Sequence, residues 1–158
     1  MVIGVISDTH GRPLPDECRE RLRAVDAILH AGDFTDRADL EAVQALGPPV
    51  HGVRGNGDSV WLVARLPLMR TLEFDGVRVG LIHDAGPAKG RLNRLRKRFP
   101  DARAVVFGHS HIPSHEAFGD FEIFNPGSPT QRRRQPAHTM GLATIEDGKI
   151  SFDLIQLA

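Results

Sequence analysis

The chain has 158 residues, with 20 basic residues balancing 20 acidic ones, 41% apolar residues and 25% charged residues. That length and balance suit one globular domain, 1–158, with a core that needs no disulfides. They exclude the basic excess of a non-specific nucleic-acid binder, and no apolar stretch approaches the ~18 residues of a bilayer span.

The chain opens on a β-branched run, Val2–Ile6, which meets Asp8 with no basic lead-in. A secretory signal is therefore not expected, and the cytoplasm is the expected compartment. A helix is predicted near Asp16–Val25, where Cys18, Leu22 and Val25 share one face. Cys18 is the lone cysteine, so no internal disulfide forms, and its helical spacing marks it as a core thiol rather than a nucleophile. After the run Ala27–Leu29 comes a second helix near Asp36–Leu46, capped by Thr35, with Leu40, Val43 and Leu46 on one side.

A third apolar run, Val50–Val53, precedes two strand-like segments, Met69–Phe74 and Val77–Ile82, which Asp75-Gly76 joins as a hairpin. Pro87 suits the first turn of a third helix that turns Leu92, Leu95 and Phe99 inward and Arg91, Arg94 and Arg98 towards water. Ala104–Phe107 is another buried run, Gly119-Asp120 turns Ser114–Phe118 into Phe121–Phe124, and Asp147-Gly148 makes a last hairpin. The βαβα rhythm of the first half predicts a partly parallel sheet, and the hairpins of the second half a more antiparallel one. The expected fold is α/β, a two-sheet β-sandwich flanked by helices in four αββα layers.

Five of these runs end in residues able to ligate a metal. Val2–Ile6 leads to Asp8-Thr9-His10, and Ala27–Leu29 to His30-Ala31-Gly32-Asp33. Val50–Val53 leads to Gly55-Asn56-Gly57-Asp58, Val77–Ile82 to His83-Asp84, and Ala104–Phe107 to Gly108-His109-Ser110-His111. Each fragment alone is an ordinary turn. Together they place oxygen and imidazole donors beyond five strand ends, where open α/β sheets gather ligands. Mixed donors of this kind suit Mn, Fe, Ni, Co or Zn.

Asp8-x-His10, Gly32-Asp33, Gly55-Asn56-x-Asp58, His83 and Gly108-His109-x-His111, in that order, resemble the calcineurin-like metallophosphoesterases. The length resembles their small bacterial and archaeal phosphodiesterase branch, as does Asn125-Pro126-Gly127-Ser128. The resemblance implies two divalent transition-metal ions, with manganese favoured. One would be held by Asp8, His10, Asp33 and His111, the other by Asp33, Asn56, His83 and His109, with Asp33 bridging. It also implies a bridging hydroxide as nucleophile, an Asn56 amide that donates to a phosphate oxygen, and a small phosphodiester or phosphomonoester substrate. His30 and Asp58 are close enough in sequence to orient ligands through hydrogen bonds, or to be buried turn residues.

Two residues depart from the pattern. Much of the wider superfamily has a proton-donating histidine where this chain has Gly57, and glycine where it has Asp84. An alternative function is a binding scaffold, since a eukaryotic retromer subunit resembles the same branch, and a nuclease is a further one. Seven intact donors argue for the enzyme. The sequence is also compatible with a homo-oligomer.

Overall fold

The computed structural model describes residues 1–158. Ten strands form two five-stranded sheets. In the first, β1 (Val2–Ile6), β2 (Ala27–His30) and β3 (Val50–Gly52) run parallel, and β9 (His138–Glu146) and β10 (Lys149–Leu157) extend β1 as an antiparallel hairpin. In the second, β5 (Val77–Ile82), β6 (Ala104–Val106) and β8 (Phe121–Asn125) run parallel between antiparallel edges β4 (Met69–Phe74) and β7 (Ser114–Phe118). The expected contrast between the sheets is therefore absent, because both are mixed. A helical crossover returns β6 parallel to β5, and the β7–β8 turn then lays β8 parallel to β6.

Strand alternation builds the layers. Ile3 and Val5 on β1 point into the core between the sheets, where they meet Val79 and Leu81 of β5 and Phe124 of β8. Ile6 and Ile28 point the other way, against α1 (Asp16–Arg23), α2 (Arg37–Gln44) and the short α3 (Val60–Val63). On the far side, Val105 and Ile123 pack beneath Leu95 of α4 (Arg91–Arg98). The result is the two-sheet, four-layer arrangement expected from the sequence. None of the helices is long and apolar enough to cross a membrane.

Local chemistry moves some boundaries. The N-cap of α2 is Asp36 rather than Thr35, in a capping box in which Asp39 reaches back to the Asp36 N–H. The Thr35 N–H donates instead to Asp58, at 2.9 Å. The third predicted helix begins at Arg91, not Pro87, because the segment before it is held as a loop by guanidinium groups. Arg94 donates to the carbonyls of Ala85, Pro87 and Lys89, and Arg91 donates to Gly86 and lies over Phe107. These two arginines are thus half-buried straps rather than a solvated face, while Arg98 is exposed. The sequence pattern gave no hint of α3, a single turn capped by the Ser59 hydroxyl.

Cys18 is buried beside Leu22, and burial pushes its thiol up to about 12, so it is no nucleophile. Leu22 is fully buried where α1 meets β1. Leu22→Ala is expected to cost about 2–5 kcal/mol by urea denaturation. A loss below about 1 kcal/mol would show that this helix does not seal the first sheet.

Candidate metal centre

The loops beyond β1, β2, β3, β5 and β6 meet at one edge of the sandwich. Backbone bonds join them: the Asp8 N–H donates to Gly32 O, the His10 N–H to Asp33 O and the Gly108 N–H to His83 O, each at 3.0 Å. This brings together all seven residues implied as ligands. Asp8, Asp33, His83 and His111 form a buried floor, His10 is half-buried, and Asn56 and His109 are exposed at the rim.

The donor atoms crowd one another. His83 Nε2 is 3.3 Å from Asp33 Oδ2 and 2.9 Å from Asn56 Oδ1, which is 3.1 Å from His109 Nδ1. His10 Nε2 is 3.4 Å from the same Asp33 oxygen and 3.2 Å from His111 Nε2, which lies 3.6 Å from Asp8 Oδ1. Asp33 Oδ2 therefore faces both His83 and His10. Two sets that have Asp8 in common, Asp8 with His10 and His111 and Asp8 with Asp33 and His83, converge closely enough to hold a metal ion.

Hydrogen bonding tests whether a cation fits. The Nδ1–H of His83 donates to Ala31 O at 2.8 Å, and that of His111 donates to Gln131 O. Both Nε2 atoms then face carboxylate oxygens, in the orientation typical of metal-ligating histidines, with room for either a proton or a cation between them. Asp8 Oδ2 accepts from the Ser7 hydroxyl and the His109 N–H, yet its buried Oδ1 has no partner. Buried acceptors facing one another repel unless a proton or a cation lies between them. Donors around an ion at metal–ligand distances of about 2.1 Å would be roughly 3–3.5 Å apart, as they are here. The residues present fit the group.

Proton affinities shift accordingly. Burial, outweighing the nearby His83, raises Asp8 to about 6. Asp33 falls to about 2, because bonds from His83 and the Gly57 N–H overcome its burial. Burial lowers His83, but Asp33 and Asp8 more than restore it and leave it raised. Burial lowers His10 and His111, which keeps their rings neutral and available as ligands.

The backbone is bent to achieve this. Asp8, His10, Asp33, His109 and His111 all have positive φ, a conformation costing roughly 1 kcal/mol each, although Asp and His tolerate it better than most. Glycine makes the approach possible at two points. A Cβ at Gly55 would collide with Asp33, and one at Gly108 would collide with Ser7 and lie 2.7 Å from Asp8 Oδ2.

Supporting residues behave differently from one another. Asp58 accepts from the N–H groups of Asp33, Thr35 and Gly55 and so ties two donor loops together. His30 touches no donor side chain. Its Nε2–H donates to Thr9 Oγ1, its Nδ1 accepts from the Gly32 N–H, its ring stacks on Phe34, and burial lowers its pKa to about 3.

Sequence reasoning missed Ser7, Ser128 and Thr130 as supports. Ser128 Oγ donates to Asp8 O and accepts from the Thr130 and Gln131 N–H groups, and Thr130 Oγ1 donates to Thr9 O. Only the resemblance of Asn125-Pro126-Gly127-Ser128 pointed this way. Asn125 in turn holds the Gly108 carbonyl through its side-chain amide, at 3.2 Å.

This sandwich, with its strand-end cluster of Asp, His and Asn, defines a metal-dependent phosphoesterase. The chain belongs to the calcineurin-like phosphoesterase superfamily, whose domain model matches residues 1–148. A probable metallophosphoesterase of Methanothermobacter thermautotrophicus is 35% identical over 99% of this chain and 92% of its own length. A predicted phosphoesterase of Streptococcus pneumoniae is 27% identical, with a TM-score of 0.75 over 98% of this chain and 88% of that one. Vps29 of Chaetomium thermophilum shares the fold, with a TM-score of 0.80 and 20% identity over 99% of this chain and 93% of that one.

Ser128→Ala removes one hydroxyl that serves three backbone groups. It is expected to lower stability by about 1–3 kcal/mol and to weaken divalent-metal binding roughly 10–100-fold. Unfolding curves and metal titration measure the two effects. Unchanged metal affinity would show that the Asp8 loop holds its shape without this residue.

Proposed function

We propose that the protein hydrolyses phosphodiesters with two divalent transition-metal ions, manganese foremost, shared through Asp33. The observation that carries this is the unpartnered Asp8 Oδ1, buried among ring nitrogens whose protons are committed to carbonyls. Asp8, His10, Asp33 and His111 would hold one ion, and Asp33, Asn56, His83 and His109 the other. Such a pair would supply Lewis acidity, an activated water and charge neutralisation on the phosphoryl group.

The chain's own residues do the rest. The buried floor fixes the centre, and the exposed Asn56 and His109 leave one side open to substrate. The Asn56 Oδ1 faces the donors, which leaves its amide N–H₂ to donate to a phosphoryl oxygen. A cleft of about 420 Å³ bordered by Asn56 and His83 gives a second ester arm room, and this supports diester over monoester. Asp84 Oδ1 accepts from the Gly86 N–H at 2.9 Å, which makes it a turn cap and not an additional ligand. A scaffold would gain nothing from a cluster of repelling acceptors on strained backbone, which is the case against the alternative.

Metal analysis tests the shared carboxylate. The wild type should hold close to two Mn²⁺ per chain, Asp33→Asn should drop below one and lose most activity, and Asp84→Asn should keep both. Full occupancy and full rate in Asp33→Asn would disprove the bridging role.

Gly57 provides no side chain to protonate a leaving group. Its φ is not positive, and an added Cβ would sit 3.2 Å from Asp33 Oδ1, so a side chain is crowded but not barred by the backbone. General acids contribute roughly 10²–10⁴-fold, most where the leaving group is poor. Gly57→His should therefore speed hydrolysis of alkyl diesters and hardly alter nitrophenyl diesters, while Gly57→Ala speeds neither. Equal losses on both ester classes in the two variants would mean that crowding of Asp33 dominates.

A further inference from the structure

The cleft beside Asn56 and His83 has a character of its own. Arg54 and Arg98 reach it from opposite segments, with Val63 and Leu68 forming an apolar wall. The Arg54 side chain donates to the Val63 carbonyl at 3.3 Å, and the one side-chain hydrogen bond of Arg98 is from Nε to the Met69 sulfur, also at 3.3 Å. Neither guanidinium is paired with a carboxylate. The two carboxylates nearby are already engaged, since Asp58 accepts three backbone N–H groups and Asp84 caps its own turn. Val63 and Leu68 remain 40% and 50% exposed, an apolar surface that the protein itself leaves open.

A cleft of about 420 Å³ is at the small end of organic-ligand sites, sized for one ring system and its sugar rather than a polymer. Unpaired guanidinium groups recognise phosphate and carboxylate through charge-assisted bonds. We infer that this cleft is a specificity subsite for a nucleoside-sized ester arm that carries a second anionic group, bound by Arg54 and Arg98. The ring lies on Val63 and Leu68, and the scissile phosphate sits at the donors. The subsite presupposes hydrolysis at the adjacent centre. There, water oxygen bonds to phosphorus, the bond to the leaving oxygen breaks, and the water's protons pass to solvent or to that oxygen. The nucleoside arm is released as a phosphomonoester with its second anion unchanged.

Two substrates test it: the p-nitrophenyl ester of thymidine 5′-phosphate, and the same ester carrying a 3′-phosphate. Both release nitrophenolate, so they differ only in the second anion. With Mn²⁺, the wild type should favour the 3′-phosphate form in kcat/KM on the order of tenfold, mainly through KM. Arg54→Ala and Arg98→Ala should each cut that ratio at least several-fold, whereas Lys97→Ala, an exposed charge one residue away, should leave it unchanged. Calorimetry on Mn²⁺-loaded protein should rank thymidine 3′,5′-bisphosphate above thymidine 5′-monophosphate, with the preference reduced in both arginine variants. A wild-type ratio near one, or equal effects from Lys97→Ala, would overturn the subsite. If neither ester is hydrolysed, the phosphodiesterase proposal fails, and the calorimetric ranking alone then decides the cleft.

Discussion

The structure is organised around the burial of acceptors that face acceptors. Asp8, Asp33, His83 and His111 form a floor nearly closed to water, and two of its ring nitrogens have their protons turned outward. An isolated cluster of this kind opposes folding, through desolvation and through five backbone residues at positive φ. Everything around it has to hold that geometry. The core between the sheets holds the strand ends in register, and the outer helices hold the two sheets in place. Asp58, Ser128 and Thr130 then tie the loops to one another, and Asn125 ties the Gly108 loop to the end of β8.

Much of this was legible in the sequence because strands reveal themselves by apolar runs, and the donors follow immediately after them. Val2–Ile6 with Asp8 and His10, and Ala104–Val106 with His109 and His111, needed no tertiary information. The parts that escaped depend on contacts remote in the chain. Ser128 is 120 residues from the Asp8 carbonyl it supports, and nothing local marks it apart from other serines. The start of α4 was misplaced because helix propensity at Pro87 competes with guanidinium groups folding back from Arg91 and Arg94. Thr35 looked like a cap by composition. The helix begins at Arg37, so the cap position falls on Asp36, whose side chain accepts the Arg37 N–H, while the Thr35 N–H bonds to Asp58, a residue that also serves the donor loops.

His30 shows how a residue's neighbours in sequence can mislead about its role. Three residues before Asp33, it invites assignment as the group that steers that carboxylate. Its ring instead lies between Phe34 and Thr9, fixing the residue between Asp8 and His10. Its low proton affinity keeps it neutral, so one ring nitrogen donates to Thr9 while the other accepts from the Gly32 N–H beside Asp33. Gly57 acts on Asp33 more directly, through its backbone N–H at 2.7 Å, which would survive substitution by any residue but proline.

The balanced composition argues against a non-specific nucleic-acid binder, yet net charge says nothing about where charges are neutralised. On α1 and α2, Arg19, Arg21 and Arg37 are matched by Asp16, Glu17 and Glu41. Beside the donors the pairing breaks down: Arg54 and Arg98 are unmatched, while Asp58 and Asp84 bond backbone N–H groups. Fields from separated surface charges fade over a Debye length of about 8–10 Å, so paired arginines elsewhere contribute little at the cleft. Asp58 and Asp84 balance the two guanidinium groups in formal charge. What an approaching phosphate meets is therefore not a net positive field but two sets of N–H donors that no carboxylate occupies, without the general stickiness towards polyanions of a basic protein.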